Sequence, residues 1–371
     1  MEQRIMVRAL VHFFKNRVDS KTMKKTLPVI SGLLALLTLL AAAFLAGCDT
    51  GSNNNDPVEK NYPITEEVKN FNYSDWMSPI DDAMPLRNLL IPGTHDAATY
   101  KNTVASILKC QNTDFEQQLN QGIRFFDIRV GVNAKDREVG LYHVLYVGVN
   151  FSDFLSTVAN FLAEGSHDRE SLIVSVKREV GNDTDGLPGA INSLIAQYPS
   201  LFYSGGKTMA ELTLGEVRGK IVLWNRGIDG LSIGEHFSFN SGTVDEGHID
   251  DHNFRIQDFY NPVPSPGTNA EKMQELTEVK SRAIEDCFED GVHADNSAVM
   301  YANYFNISGV FQNWDTAQHI LDAVWENWFT RADARGIIPM DFYNGGELEY
   351  NSSTGVKRQY IYRMIRSNYL K

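Results

Sequence analysis

An α/β fold, a TIM-type (β/α) barrel, is what the sequence predicts, and three observations lead there. Short apolar runs alternate with helical patterns from residue 87 to residue 342. Several of those runs are apolar almost throughout, and reactive side chains fall at or just beyond their ends. Near-continuous apolar runs suit a sheet covered on both faces, and repeated strand–helix units over this length favour a barrel. An open doubly wound sheet is the second reading, because pattern alone does not close a barrel.

In chain order, strands are expected at 87–91, 123–130, 140–147, 171–177, 220–225, 298–305 and 337–342. Helices are expected at 151–164, 187–197, 269–290 and 314–334, where the spacing is helical. Gly219 and Gly336 stand where a helix should stop before the next strand. The polar residues at strand ends are His95, Asp127, Arg129, His143, Lys177, Arg226 and Asp341. Barrel enzymes gather their chemistry at the carboxyl ends of strands.

Residues 1–48 lie outside this fold. Met23 begins a basic start, a long apolar run and a small-residue exit ending Leu-Ala-Gly-Cys. The segment resembles a bacterial lipoprotein signal, which would make Met23 the true start and Cys48 the lipid-bearing residue of a protein of the cell envelope. A retained membrane anchor is the alternative, since the run approaches the spanning length of roughly 20 residues. Residues 49–62, rich in Asn, Asp and Gly, read as a flexible tether. Residues 63–371 are long enough for one large domain, without an internal repeat or second linker.

The leader carries seven Lys or Arg against two acids, so its removal takes the net charge from −13 to −18. Such a chain is a poor candidate for binding nucleic acid. Anionic bilayers would repel it as well, so a covalent lipid would solve a localisation problem. After Cys48 only Cys110 and Cys287 remain, too few for a disulfide scaffold and without zinc spacing. They either pair or stay as two buried thiols.

The chemistry centres on two histidines about fifty residues apart, His95 in IPGTHDA (91–97) and His143 in VGLYHVL (139–145). Between them, IRFFDIRV (123–130) puts Asp127 and Arg129 on the same side of one strand. Two imidazoles, a guanidinium and several carboxylates form a kit for breaking a phosphodiester. One histidine takes a proton from an attacking hydroxyl, the other gives one to the leaving oxygen, and the arginine holds the phosphate.

IPGTHDA, QGIRFFDIRV, LYHVL, LIVSVKRE, KIVLWNR, IQDFY and IIPMDFY occur in the order found in bacterial phosphatidylinositol-specific phospholipases C, which this chain resembles over residues 85–342. The resemblance implies a distorted, imperfectly closed barrel and an intramolecular reaction. The inositol 2-hydroxyl attacks its own phosphate, releasing diacylglycerol and inositol 1,2-cyclic phosphate. His95 matches the family's general base and Asp341 the aspartate that orients it. His143 matches the general acid and Asp96 its carboxylate partner, although Val144 stands where the family commonly has Gly. Arg129 stands where the calcium-dependent branch has a carboxylate ligand, so no metal cofactor is expected, and Asp127 then positions Arg129 or the inositol. Lys177, Arg226 and Asp258 resemble residues that contact inositol hydroxyls, and Tyr260 resembles the aromatic under the sugar ring. Arg178 competes with Lys177 for the inward position.

The expected partners are phosphatidylinositol-containing membranes and glycosylphosphatidylinositol-anchored proteins. Two rival readings remain: a phosphodiesterase of the same fold acting on another phospholipid headgroup, and a non-catalytic lipid-binding surface lipoprotein. SGGKT (204–208) is not a phosphate loop, because Leu201 stands where its first Gly should be. DEGHIDDHN (245–253) has no recognised metal spacing, and GNDTDG (181–186) lacks a calcium loop's distal glutamate. No GxSxG elbow is present, which argues against a serine lipase.

Overall fold

The computed structural model describes residues 67, 70–101, 108–182, 185–237, 248–251, 254–293, 299–306, 313–343 and 358–371. The leader, Cys48 and the tether lie outside these residues, as do parts of the two acidic loops discounted above. The chain runs β1 (Leu90–Thr94), α1 (Phe115–Asn120), β2 (Phe125–Val132), β3 (Val139–His143), β4 (Leu145–Asn150), α2 (Phe151–Ala163), β5 (Ser171–Arg178) and α3 (Leu187–Ile195). It continues through α4 (Leu214–Val217), β6 (Lys220–Arg226), β7 (Glu235–Phe237), β8 (His248–Asp251), β9 (Phe254–Gln257), α5 (Asn269–His293), β10 (Met300–Asn303), α6 (Asn313–Trp328), β11 (Gly336–Met340) and α7 (Arg358–Asn368).

The sheet order is β7-β6-β5-β2-β1-β11-β10-β9-β8. Every pair along this path is parallel except β8 with β9. The path ends at β7 on one side and β8 on the other. The result is a curled, incompletely closed α/β barrel. β1 and β11 are buried at every position, as expected of strands covered on both faces. Gly93 is needed in β1 because a Cβ there would lie 2.7 Å from the Phe125 ring. Trp224 of β6 stacks on Phe254 of β9 at 4.8 Å between centroids, and Phe115 meets Phe154 at 4.8 Å between α1 and α2.

At the amino ends of β2 and β5, Arg124 and Glu170 form a fully buried ion pair at 2.7 Å. The second Glu170 oxygen accepts the Met77 and Ser78 N–H groups, and Arg124 also donates to the Leu119, Ile123 and Ser74 carbonyls. This network ties the segment ahead of the barrel to the end opposite the reactive side chains.

The run expected as one strand at 140–147 is instead a hairpin, β3 and β4, that reverses at Val144. Val144 has φ +60° and is half exposed. Only the left-handed conformation turns the chain between the paired residues His143 and Leu145, and a β-branched side chain gives no warning of it.

Candidate active site

His95 and Asp96 leave the carboxyl end of β1 in a turn where Asp96 adopts φ +43°, a region Asp tolerates better than most residues. Asp341 follows the last residue of β11, the direct neighbour of β1. Strand adjacency therefore brings two residues 246 positions apart to 2.8 Å, His95 Nδ1 against Asp341 Oδ1. Asp127 and Arg129 lie inside β2 rather than at its end, because β2 runs on to Val132 to pair with β3. His143 ends an antiparallel strand outside the barrel wall, not a barrel strand as expected. β3 runs back along β2, with Val139 opposite Val132 and Leu141 opposite Val130. That return delivers His143 to the level of Arg129.

Asp96 joins the two imidazoles. Its Oδ2 lies 3.3 Å from His95 Nε2 and 3.4 Å from His143 Nε2, while its Oδ1 lies 2.6 Å from Arg129 Nε. Arg129 Nη2 sits 2.8 Å from His95 Nε2, and Asn306 Nδ2 sits 3.2 Å from the same atom. The other face of His143 is fixed by its Nδ1, which donates to the Leu108 carbonyl at 2.8 Å. Both imidazoles and the guanidinium thus surround one small volume.

Two N–H donors aimed at His95 Nε2 suit a neutral ring whose proton sits on Nδ1, toward Asp341. Charge favours the protonated ring. Burial alone would lower its pKa, but the Asp96 and Asp341 carboxylates together override that and push it up to about 9. The N–H donors favour a lone pair at Nε2, and the two carboxylates stabilise the imidazolium.

Asp127 is fully buried, and burial opposes its charge. Arg129 and Arg226 override this and hold its carboxyl far below the usual range. Its oxygens accept from Arg226 Nη1 at 3.3 Å and from the Asp96 N–H at 3.3 Å, with Arg129 Nη2 at 3.5 Å. Strand register sets Arg129, Lys177 and Arg226 side by side on β2, β5 and β6, so all three face the same way. Burial, then Arg129 and Arg226, lower the Lys177 pKa. Arg178 points the other way and pairs with Asp185 at 2.6 Å, so Lys177 is the inward residue. Arg226 reaches Asp258 at 3.6 Å and the Tyr304 hydroxyl at 3.0 Å, and Tyr260 is half-buried just beyond Asp258. A row of three cations laced with two carboxylates can bind an anionic ester carrying hydroxyl groups.

Asn306, Tyr304 and Glu179 complete the surroundings and were not singled out in the sequence. Glu179 lies 3.6 Å from Arg129 Nη1 and accepts the Val144 N–H. Asn306 and Tyr304 follow β10, so a search for polar residues past strand ends could have found Asn306. Glu179 carries no local signal. Among the described residues, His95, Asp96 and Cys110 offer ligand-type atoms within 4.8 Å of one another. The Arg129 guanidinium, 2.6 Å from Asp96, already supplies positive charge there. Cys110 and Cys287 are each buried and form no disulfide.

The family model for the phosphatidylinositol-specific phospholipase C X domain matches residues 83–227. A 1-phosphatidylinositol phosphodiesterase of Staphylococcus aureus is 27% identical over 266 residues, which are 62% of this chain and 80% of that protein. The Listeria monocytogenes protein of the same name is 34% identical over 172 residues, 44% of this chain and 51% of that protein. The solved Listeria monocytogenes phosphatidylinositol-specific phospholipase C superposes with a TM-score of 0.61 at 26% identity, covering 80% of this chain and 99% of that one. A structure of the Staphylococcus aureus enzyme shares the fold, with a TM-score of 0.63 at 22% identity over 80% of this chain and 98% of its own.

Proposed function

We propose, because the chain belongs to the phosphatidylinositol-specific phospholipase C X-domain family, that it is a phospholipase C that cleaves phosphatidylinositol as a metal-independent phosphodiester lyase. One observation carries this reading: two imidazoles meet at a single Asp96 oxygen, at 3.3 and 3.4 Å, with Arg129 touching both that carboxylate and His95.

His95 Nε2 takes the proton of the inositol 2-hydroxyl, and the freed oxygen attacks the neighbouring phosphorus. The bond from phosphorus to the glycerol oxygen breaks as His143 Nε2 passes its proton to that oxygen. The products are diacylglycerol and inositol 1,2-cyclic phosphate. Nucleophile and phosphate share one ring, so little orientation entropy remains to be lost. Asp341 holds the His95 tautomer and stabilises the imidazolium, and Arg129 faces the phosphate oxygens with its planar fork. This guanidinium takes the place of a calcium ion. Lys177, Arg226 and Asp258 grip the ring hydroxyls, and Tyr260 lies under the sugar.

Incubation with inositol-labelled phosphatidylinositol, followed by chromatography, tests this. Label should appear as the cyclic phosphate, with phosphatidylcholine and phosphatidylethanolamine left intact. No cyclic product above that of a His95→Ala, His143→Ala double variant would refute it.

The same reading puts the enzyme on the cell envelope through a lipid on Cys48. It acts there on phosphatidylinositol and its glycosylated derivatives, including protein anchors. Cys48→Ser should move the protein from the membrane fraction to the soluble one; unchanged membrane association would count against lipidation.

A further inference from the structure

We propose that Cys110 and Gln111 are positioning residues of this site: the strap Leu108–Gln111 holds the base, its carboxylate and the acid in one register, and the Cys110 thiol donates to Asp341. The inference rests on His95 and His143 being that base and acid.

Between them, Leu108, Cys110 and Gln111 reach the turns that carry His95, Asp96 and Asp341, and His143 itself. The Leu108 carbonyl accepts from His143 Nδ1 at 2.8 Å. The Cys110 N–H donates to Thr99 Oγ1 at 3.0 Å, and that hydroxyl donates to the Asp96 carbonyl at 2.8 Å. The Cys110 carbonyl accepts the Phe342 N–H at 2.8 Å, one residue past Asp341. Gln111 Nε2 donates to the His95 and Met340 carbonyls, at 2.8 and 2.7 Å. Only the amide NH2 end can serve two carbonyls, so the orientation of Gln111 is fixed.

Both turns so held contain a left-handed residue. Asp96 has φ +43° and Phe342 has φ +45°, and such backbone persists where surrounding contacts over-determine it. A packing residue would be apolar and indifferent to direction. Cys110 instead sits fully buried, its Sγ within 4.8 Å of ligand atoms of Asp96 and His95, and Asp341 is close enough to help raise the thiol pKa. Burial, then Asp341 and Asp96, keep that thiol protonated, so it is the donor. A donor on Asp341 spreads the carboxylate's charge and moderates its pull on the His95 proton.

The groups facing His95 are Asp96 from the turn after β1, Asp127 and Arg129 from β2, Asp341 after β11, and Tyr304 and Asn306 after β10, the Tyr304 ring edge-on at 6.2 Å between centroids. His143 faces it across Asp96, and Cys110 faces it from the strap. Of these, Cys110→Ala changes only the donor to Asp341.

The test compares Cys110→Ala, Cys110→Ser and Gln111→Met in the full chain. It reads the His95 ring titration by histidine-selective NMR, kcat and KM on phosphatidylinositol dispersions, and thermal melting. Cys110→Ala should move the His95 titration upward by about half to one pH unit and lower kcat roughly three- to tenfold, with KM unchanged. Cys110→Ser, which keeps a donor, should restore both toward wild type. Gln111→Met should lower kcat without changing KM. An unmoved titration in Cys110→Ala, or equal losses in the Ala and Ser variants that track melting temperature, overturns the proposal. Wild-type protein that cleaves no phosphatidylinositol while the titration still shifts refutes the enzymatic reading and leaves the strap standing.

Discussion

Asp341→Asn isolates the charge behind His95. The substitution keeps the size of the side chain and a carbonyl to accept the Nδ1 proton at 2.8 Å, but it removes a buried negative charge. Asp96 and Asp341 together lift His95 from its ordinary 6.5 to about 9 against the opposing effect of burial. At about 1.4 kcal/mol per pH unit, that difference is worth roughly 3 kcal/mol. The two carboxylates supply that and also offset burial, so loss of Asp341 removes at least about 1–2 kcal/mol. The folded pKa lies above the unfolded one, so this stability is complete below about pH 6.5 and is lost as the pH climbs through about 9. Asp341→Asn should therefore destabilise the protein more at about pH 6 than at about pH 9.5, read by urea denaturation at each. In kinetics, the acid limb of kcat/KM should move to lower pH while turnover falls roughly 10²–10⁴-fold. Equal destabilisation at both pH values, or wild-type turnover in the variant, would refute the reasoning.

Four further outcomes are expected. His143→Ala should lower turnover of phosphatidylinositol roughly 10²–10⁴-fold but spare much of the activity on an inositol phosphate aryl ester, whose leaving group needs no proton; equal loss on both substrates would remove His143 from the acid role. EDTA should leave wild-type activity intact while Arg129→Asp lowers it sharply, and strong inhibition by the chelator would place the protein in the calcium class. Val144→Gly, at φ +60° and half exposed, should stabilise the fold by about 1 kcal/mol through relief of left-handed strain; a lower melting temperature would contradict that. Arg124→Met should destabilise by roughly 3–5 kcal/mol, because it leaves the Glu170 charge buried without its 2.7 Å partner, and loss under 1 kcal/mol, on the order of a surface pair, would show the pair to be dispensable.

The barrel strands β2, β5, β6, β10 and β11 were legible because each is a short apolar run bounded by turn residues. By contrast, β1 begins at Leu90, three residues later than the expected 87–91, because Leu86–Asn88 form a 3-10 turn and the strand continues through Pro92 and Gly93. The long amphipathic helices α2 and α5 were legible for the matching reason, a stripe repeated over several turns. The short strands β7, β8 and β9 and the one-turn helix α4 carry too few residues for any period to stand out. The helix α7 is polar on average, and its place in the fold rests on tertiary contacts: Tyr360, Ile361, Met364 and Ile365 are buried, and Asn368 bonds both the N–H and the carbonyl of Leu90. The hairpin at Val144 was hidden because the residue that turns it is one that ordinarily extends a strand.

By itself the chain determined which chemistry was possible. Imidazole, guanidinium and carboxylate groups are fixed by residue type, and their placement near strand ends follows from hydrophobic periods that are local properties of the chain. Tertiary structure alone decided which of them touch. The parallel pairing of β1 with β11 joins His95 to Asp341, the doubling back of β3 along β2 brings His143 within reach of Asp96, and the strap at Cys110 and Gln111 ties these loops together. Such contacts span tens to hundreds of residues, and their energies depend on distances of a few ångströms that no local pattern encodes.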